Sequence, residues 1–243
     1  MIPKILISTF LFSVTYFANC QDTVYFDKNQ NATDKRSAFY FEVDHKEYTN
    51  PDRFVVESFY TDGVRKEIKY YKDKSKKEIT RVSEKWYPNG QIRSHITHNS
   101  GKLNDTVITY WENGQLKRED IFQNEKFIKG TCYDINGKKI RHFDYEVMPE
   151  YPGGESGLLK DIYNGIEMPQ IVRTTLLKEK VIAKFHVDTE GFVGDIEIVK
   201  GDYPEVNNEV MRVLSSLKRW RPGMIDGEPV NVWYVVPITF EVK

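Results

Sequence analysis

Residue types that most often carry chemistry are scarce in this chain. Two of its 243 residues are cysteine, Cys20 and Cys132, and five are histidine. If Cys20 leaves with an N-terminal signal, the one cysteine remaining cannot form an internal disulfide. The histidines are scattered. His95 and His98 are neighbours, but their odd spacing in a strand points them to opposite faces instead of at one ion. No charge of either sign is in excess, with 35 Lys and Arg against 36 Asp and Glu. A nucleic-acid surface is therefore not expected, because neutralising a phosphate backbone needs a clustered basic excess. The charges are mixed locally, as in Lys72-Asp-Lys-Ser-Lys-Lys-Glu78, and read as solvated faces.

Reaction-centre patterns are missing as well. Gly153-Gly154 has no Gly-Lys-Ser after it, so it is not a phosphate loop. Ser156 has Leu158 where a nucleophile elbow needs glycine. Glu150 and Glu155 read as turn-capping groups, not as an acid–base pair. The chain is expected to be no enzyme, with no catalytic residue, no metal site and no cofactor.

Past the N-terminus no run approaches the roughly 20 apolar residues of a bilayer crossing. Residues 1–20 themselves read as an export signal. Lys4 is followed by an apolar stretch from Ile5 to Phe17, and Ala18-Asn-Cys20 puts small residues where cleavage before Gln21 needs them. Lipidation at Cys20 and a retained anchor are the alternatives. The mature protein is expected in the periplasm or at the outer membrane.

What the chain does have is a repeated pattern, an aromatic residue with glycine four places on. It occurs as Phe59-Tyr-Thr-Asp-Gly63, Trp86-Tyr-Pro-Asn-Gly90, Tyr110-Trp-Glu-Asn-Gly114 and Tyr133-Asp-Ile-Asn-Gly137, the glycines 27, 24 and 23 residues apart. Asn-Gly between extended segments is a strong hairpin signal, because both residues tolerate positive φ. A lone hairpin is marginal, so successive ones should stack into a continuous sheet, with Trp86, Trp111 and Tyr133 covering one another. The organisation expected is a polar lead-in over 21–55 with a strand from Ser37 to Val43, repeats over 56–148, and a compact domain over 149–243.

In that last domain, Tyr151-Pro-Gly-Gly-Glu155 makes a turn, and Ser156 is placed to cap a short helix carrying Leu158, Leu159 and Ile162. A second short helix is expected over Ile171 to Leu177. Val181, Ala183, Phe185 and Val187 alternate as one face of a strand, and Phe192, Ile196 and Ile198 should face inward from its hairpin partner. Val206, Val210, Val213, Leu214 and Leu217 form one helical stripe, predicting a helix over Pro204 to Trp220 capped near Asp202. Asn207, Asn208 and Arg212 should face water. The final strand, Val230 to Val242, is apolar at every even position. Pro237 has no N–H, which argues for an edge strand, and an open apolar edge is a candidate for pairing with an extended peptide.

Two family resemblances rest on these residues. Tyr87-Pro-Asn-Gly-Gln-Ile-Arg93 and Trp111-Glu-Asn-Gly-Gln-Leu-Lys117 resemble MORN-type repeats, which implies β-hairpin stacks used for protein or membrane contact. Residues 149–243 resemble the C-terminal domain of TonB, through Tyr151-Pro-Gly-Gly-Glu155, Glu190-Gly191, Asp195-Ile-Glu-Ile-Val199, Trp220-Arg-Pro-Gly223, Gly227-Glu-Pro-Val230 and Val236-Pro-Ile-Thr-Phe240. That resemblance implies an α+β domain of two helices on a three-stranded antiparallel sheet, preceded by the all-β array. It further implies that the last strand accepts a short segment, the TonB box, from an outer-membrane transporter. Carried over by position, Val230, Val232, Trp233, Tyr234, Val235 and Val236 would form the partner-binding edge, with Trp220, Pro222, Gly223 and Gly227 as framework. The expected role is peptide binding in the cell envelope, with a part in TonB-dependent transport as its finer form. The alternative is an adaptor that binds a protein through the repeats; a homodimer and membrane association also stay open.

Overall fold

The structure, a computed structural model, describes residues 23–28, 30–175 and 178–241. The expected export signal, Cys20, Leu176, Leu177 and Val242 lie outside the described residues. The chain divides into two compact units, one ending at His142 and the other starting at Phe143.

The first unit is an antiparallel meander. Its strands are β1 (Val24–Phe26), β2 (Ala32–Thr33), β3 (Tyr40–Lys46), β4 (Phe54–Tyr60), β5 (Arg65–Tyr71), β6 (Ile79–Trp86), β7 (Ile92–Asn99), β8 (Lys102–Tyr110), β9 (Leu116–Gln123), β10 (Lys126–Tyr133) and β11 (Lys139–Ile140). They form one eleven-stranded sheet in which β3 to β11 follow chain order. The lead-in is thus part of the sheet, and its strand begins three residues later than the alternation of Ser37 to Val43 placed it.

From β6 onward two kinds of turn alternate along the meander. Ser100-Gly101 and Asn124-Glu125 are two-residue turns with positive φ at both positions, the geometry that matches strand twist. The repeat turns differ from expectation. In Tyr87 to Gln91 the Tyr87 N–H donates to the Gln91 carbonyl and the Gly90 N–H to the Tyr87 carbonyl. Gly90 alone has positive φ there, at 81°. This is a three-residue loop in which a type I turn is followed by a left-handed glycine. Asn89 therefore acts through its side chain, whose Oδ1 accepts the Gln91 N–H at 3.0 Å.

The second unit contains β12 (Glu146–Val147), α1 (Gly154–Gly165), α2 (Gln170–Thr175), β13 (Glu179–Val187), β14 (Val193–Lys200), α3 (Pro204–Ser215), β15 (Gly223–Ile225), β16 (Glu228–Val230) and β17 (Val232–Phe240). Its main sheet has the order β14-β13-β17, and a second three-stranded sheet has the order β12-β15-β16. This corrects the two helices on a single sheet that the resemblance implied: the described residues hold three helices, as the residue patterns expected, and a second sheet. The extra hairpin turns at Asp226-Gly227, both at positive φ, a two-residue turn signal that sequence reading passed over.

One core holds this unit together. Val181, Ala183, Phe185 and Val187 of β13 meet Val206, Val210, Val213 and Leu214 of α3, all essentially inaccessible, as their periodicities require. The helix ends five residues before Trp220, and Tyr203 stands at its N-cap with no side-chain capping bond. Asp202 instead donates its N–H to Glu179 Oε1 at 2.9 Å. Ser156 likewise does not cap: α1 starts at Gly154 behind a left-handed Gly153. Asn207 is only half-exposed and donates to the Gly201 carbonyl, while the exposed Arg212 caps α1 through the Gly165 carbonyl.

Phe192 is 49% exposed and does not face inward. Asp195 has φ 46°, and the β13–β14 register slips between Lys184 and His186. That bulge reverses the alternation, so Val193, Ile196 and Ile198 pack on the core. Phe192 lies under the Arg219 guanidinium, 5.2 Å from it.

Candidate functional site

Strand β17 has one partner among the described residues, β13, paired without a bulge from Val232↔Val187 to Phe240↔Glu179. Pro237 sits opposite Ile182 in this register. A proline cannot exchange ladder bonds, so this pair is of the non-hydrogen-bonded type, and the even residues carry the bonds to β13. The backbone N–H and C=O groups of Trp233, Val235 and Thr239, with the Pro237 carbonyl, therefore point to the open edge.

Side chains follow the perpendicular alternation. Val232, Tyr234 and Val236 are half-buried and Ile238 and Phe240 buried, while Trp233, Val235, Pro237 and Thr239 are exposed. Trp233 is 49% and Val235 63% accessible. The Lys184 ammonium lies 4.2 Å from the Trp233 ring centroid, and the His186 ring 5.1 Å from it. Val230 belongs to β16, where it pairs with Gly223, so its backbone is engaged in the small sheet and not in line with the edge.

The framework residues support this strand from behind. Trp220 is buried and packs on Tyr151, Phe185 and Tyr234, with centroid separations of 5.1, 6.3 and 5.2 Å. Its backbone N–H donates to the Gly191 carbonyl at 2.8 Å. A Cβ at Gly191 would lie 2.1 Å from the Trp220 carbonyl oxygen, so only glycine permits this approach. The half-buried Pro222 leads into β15. A Cβ at Gly223 would meet Val232 Cγ2 at 2.7 Å, and Gly227 turns the hairpin tip beneath Phe143. Burial raises the Tyr234 hydroxyl above its ordinary pKa, and that hydroxyl donates to the Pro149 carbonyl at 3.2 Å.

The main sheet's other edge is unlike this one. Strand β14 is bulged twice against β13, and bulges twist an edge away from further pairing.

The repeat turns show a function that sequence reasoning missed. Tyr60, Tyr87 and Trp111 each reach the next repeat and donate to the carbonyls of Trp86, Tyr110 and Tyr133, at 3.2, 2.9 and 3.1 Å. The Asn89 and Asn113 amides donate to Glu112 and Ile135 carbonyls at 3.0 and 3.1 Å. The Gln91 and Gln115 side chains lie over the following glycines, Gly114 and Gly137. The aromatic-to-aromatic covering expected of Trp86, Trp111 and Tyr133 is replaced by these side chain-to-backbone bonds. Their signal was present in the recurring Asn-Gly-Gln.

Residues 167–242 match the family model for the Gram-negative bacterial TonB protein C-terminal, and residues 82–103 and 106–124 match the MORN repeat variant. A TonB C-terminal-like segment follows MORN-type repeats. No curated protein matches the chain. The MORN matches take in the second and third turns, those with the full Asn-Gly-Gln, and leave out the turns at Gly63 and Gly137. The TonB match includes the whole of β13, β14, α3 and β17 but leaves out the Tyr151-Pro-Gly-Gly-Glu155 turn. Both matches fit an envelope-associated protein that works through protein–protein contact. No described helix is long and apolar enough to cross a membrane.

Proposed function

We propose that the second unit binds an extended peptide segment by strand addition to the open edge of β17. The observation that carries this is the contrast between the two edges of the main sheet: β14 is bulged twice, whereas β17 runs nine residues in unbroken register. The usable stretch is Trp233 to Thr239, with N–H donors at Trp233, Val235 and Thr239 and acceptors at Trp233, Val235, Pro237 and Thr239. Main-chain bonds supply the pairing, and the exposed Trp233 and Val235 select side chains of the incoming strand. The TonB-like segment makes the N-terminal segment of an outer-membrane transporter the first partner to test, in a protein exported to the periplasm or held at the outer membrane. The repeat array serves as a rigid carrier, because the polar tips of Tyr60, Tyr87 and Trp111 are engaged between turns.

The test is amide hydrogen exchange on the full chain with and without such transporter peptides. Protection should appear at Trp233, Val235 and Thr239, with no change at Tyr234 and Val236, which already bond to β13. Binding that leaves the three edge amides unprotected, or protects the repeat strands instead, sinks this reading and favours the adaptor.

A further inference from the structure

The end of the repeat array holds a polar cluster that the docking edge does not explain. Arg118 and Asp120 of β9 share one face, two residues apart. In the ladder, Cys132 of β10 lies opposite both Arg118 and Ile140, and Gly130 opposite Asp120. His142, two residues beyond Ile140, returns to the same face. Arg118, Asp120 and Cys132 are wholly inaccessible, and the His142 side chain is 25% exposed.

A Cβ at residue 130 would lie 1.8 Å from Asp120 Oδ1. Gly130 thus leaves the space into which the carboxylate lies. Arg118 pairs with Asp120 Oδ2, which leaves Oδ1 turned to His142 Nε2 at 2.9 Å. The Arg118 guanidinium also lies 3.4 Å from that Nε2.

We propose that Asp120 Oδ1, Cys132 Sγ and His142 Nε2 form a zinc site that clasps the last strands of the array. One ligand atom from each residue lies within 4.8 Å of the other two. Tetrahedral Zn²⁺ with one oxygen, one sulfur and one nitrogen ligand needs separations of about 3.3–3.6 Å, so shifts of side-chain size suffice. The mixed S, N and O set suits a borderline-soft divalent ion and not Ca²⁺ or Mg²⁺, which take oxygen. On binding, the Cys132 thiol loses its proton to solvent and the imidazole proton moves to Nδ1, freeing Nε2 for the metal. Arg118 holds the second carboxylate oxygen, orienting Asp120 as an outer-sphere partner does. Three protein ligands leave a fourth position for water or for a donor from another molecule. The clasp ties the chain leaving β11 to β9 and β10, where the interlock of the turns runs out.

The experiment uses untagged full chain, reduced and stripped with chelator, titrated with Co²⁺. One equivalent should produce a near-ultraviolet thiolate-to-cobalt charge-transfer band that Zn²⁺ then abolishes. Cys132→Ser, close in size, should lose the band, and His142→Ala should weaken cobalt binding at least about tenfold. Zn²⁺ should raise the Tm of the parent chain and not that of His142→Ala, a variant at a partly exposed position that leaves the buried pair intact. A folded chain that gives no band, or a band that follows Cys20→Ser instead of Cys132→Ser, overturns the assignment and leaves a buried ion-pair network.

Discussion

A proline at Val235 separates the proposed docking edge from the fold it belongs to. The Val235 N–H points away from β13, so replacing it removes no ladder bond, and Tyr234 before it is already extended, as a residue preceding proline must be. The remaining cost is the adjustment of φ and a poorer fit at Lys184↔Val235, about 1 kcal/mol on the scale of strand substitutions. Val236→Pro is a different perturbation. It deletes an N–H that bonds to Ala183, whose carbonyl is left unpaired inside the sheet at about 1–3 kcal/mol, with the ring clash added. For an incoming strand the order reverses. Val235→Pro removes one donor worth about 0.5–1.5 kcal/mol and sets a ring where the peptide must lie, so affinity should fall about tenfold, or 1.4 kcal/mol. Urea unfolding gives the stabilities, and anisotropy of a labelled transporter peptide gives the affinities, with Val235→Thr as a control that keeps the N–H. Peptide binding unchanged in a folded Val235→Pro chain would refute the docking edge. Equal destabilisation by the two prolines would refute the orientation assigned to the strand.

Three further outcomes follow from the structure. Asn113→Asp keeps the Oδ1 that accepts the Gln115 N–H but loses the amide that donates to the Ile135 carbonyl. It should cost the repeat unit about 1 kcal/mol in chemical denaturation, whereas Asn136→Asp, with no following repeat turn, should be near neutral. Burial holds the His98 pKa below 6.5. The unfolded chain therefore takes up the proton first, and stability present above pH 6.5 is lost as pH falls from that value toward the lowered one. Stability curves between pH 7.5 and 5.5 should be flatter for His98→Gln than for the parent, and identical slopes would rule His98 out as the cause. Phe185→Ala empties a core position that is 1% exposed and should destabilise the second unit by about 3–5 kcal/mol. Calorimetry should show that transition shift while the repeat transition keeps its Tm.

Legibility followed the range of the interactions concerned. The stripe on α3 and the alternation of β13 and β17 needed only local periodicity, and the structure has them from Val206 to Leu214 and from Val232 to Phe240, although the helix stops before Leu217 and Val230 falls in β16. Pro237 marked an edge strand because a missing N–H is a property of one residue. The caps failed for a different reason: Ser156 and Asp202 have the right chemistry, but Gly153 and Glu179, placed by tertiary packing, took over the helix start and the Asp202 amide. Phe192 failed because a single bulged residue at Asp195 reverses every side chain before it. The Asn-Gly-Gln turns were visible as turns, but their side chains act on the next repeat, 22 or 23 residues away in the chain.

The sequence by itself determined that this chain is a hairpin array followed by an α+β unit, because side-chain period and turn chemistry are written residue by residue. It also determined which strand could carry an open edge, through one proline. Only the tertiary structure decided that β14 is bulged twice while β17 runs without a break, since bulges arise from pairing between strands. Only it brought Asp120, Cys132 and His142 together, because three residues on separate segments become neighbours through the register of β9, β10 and β11, and register is a property of the assembled sheet.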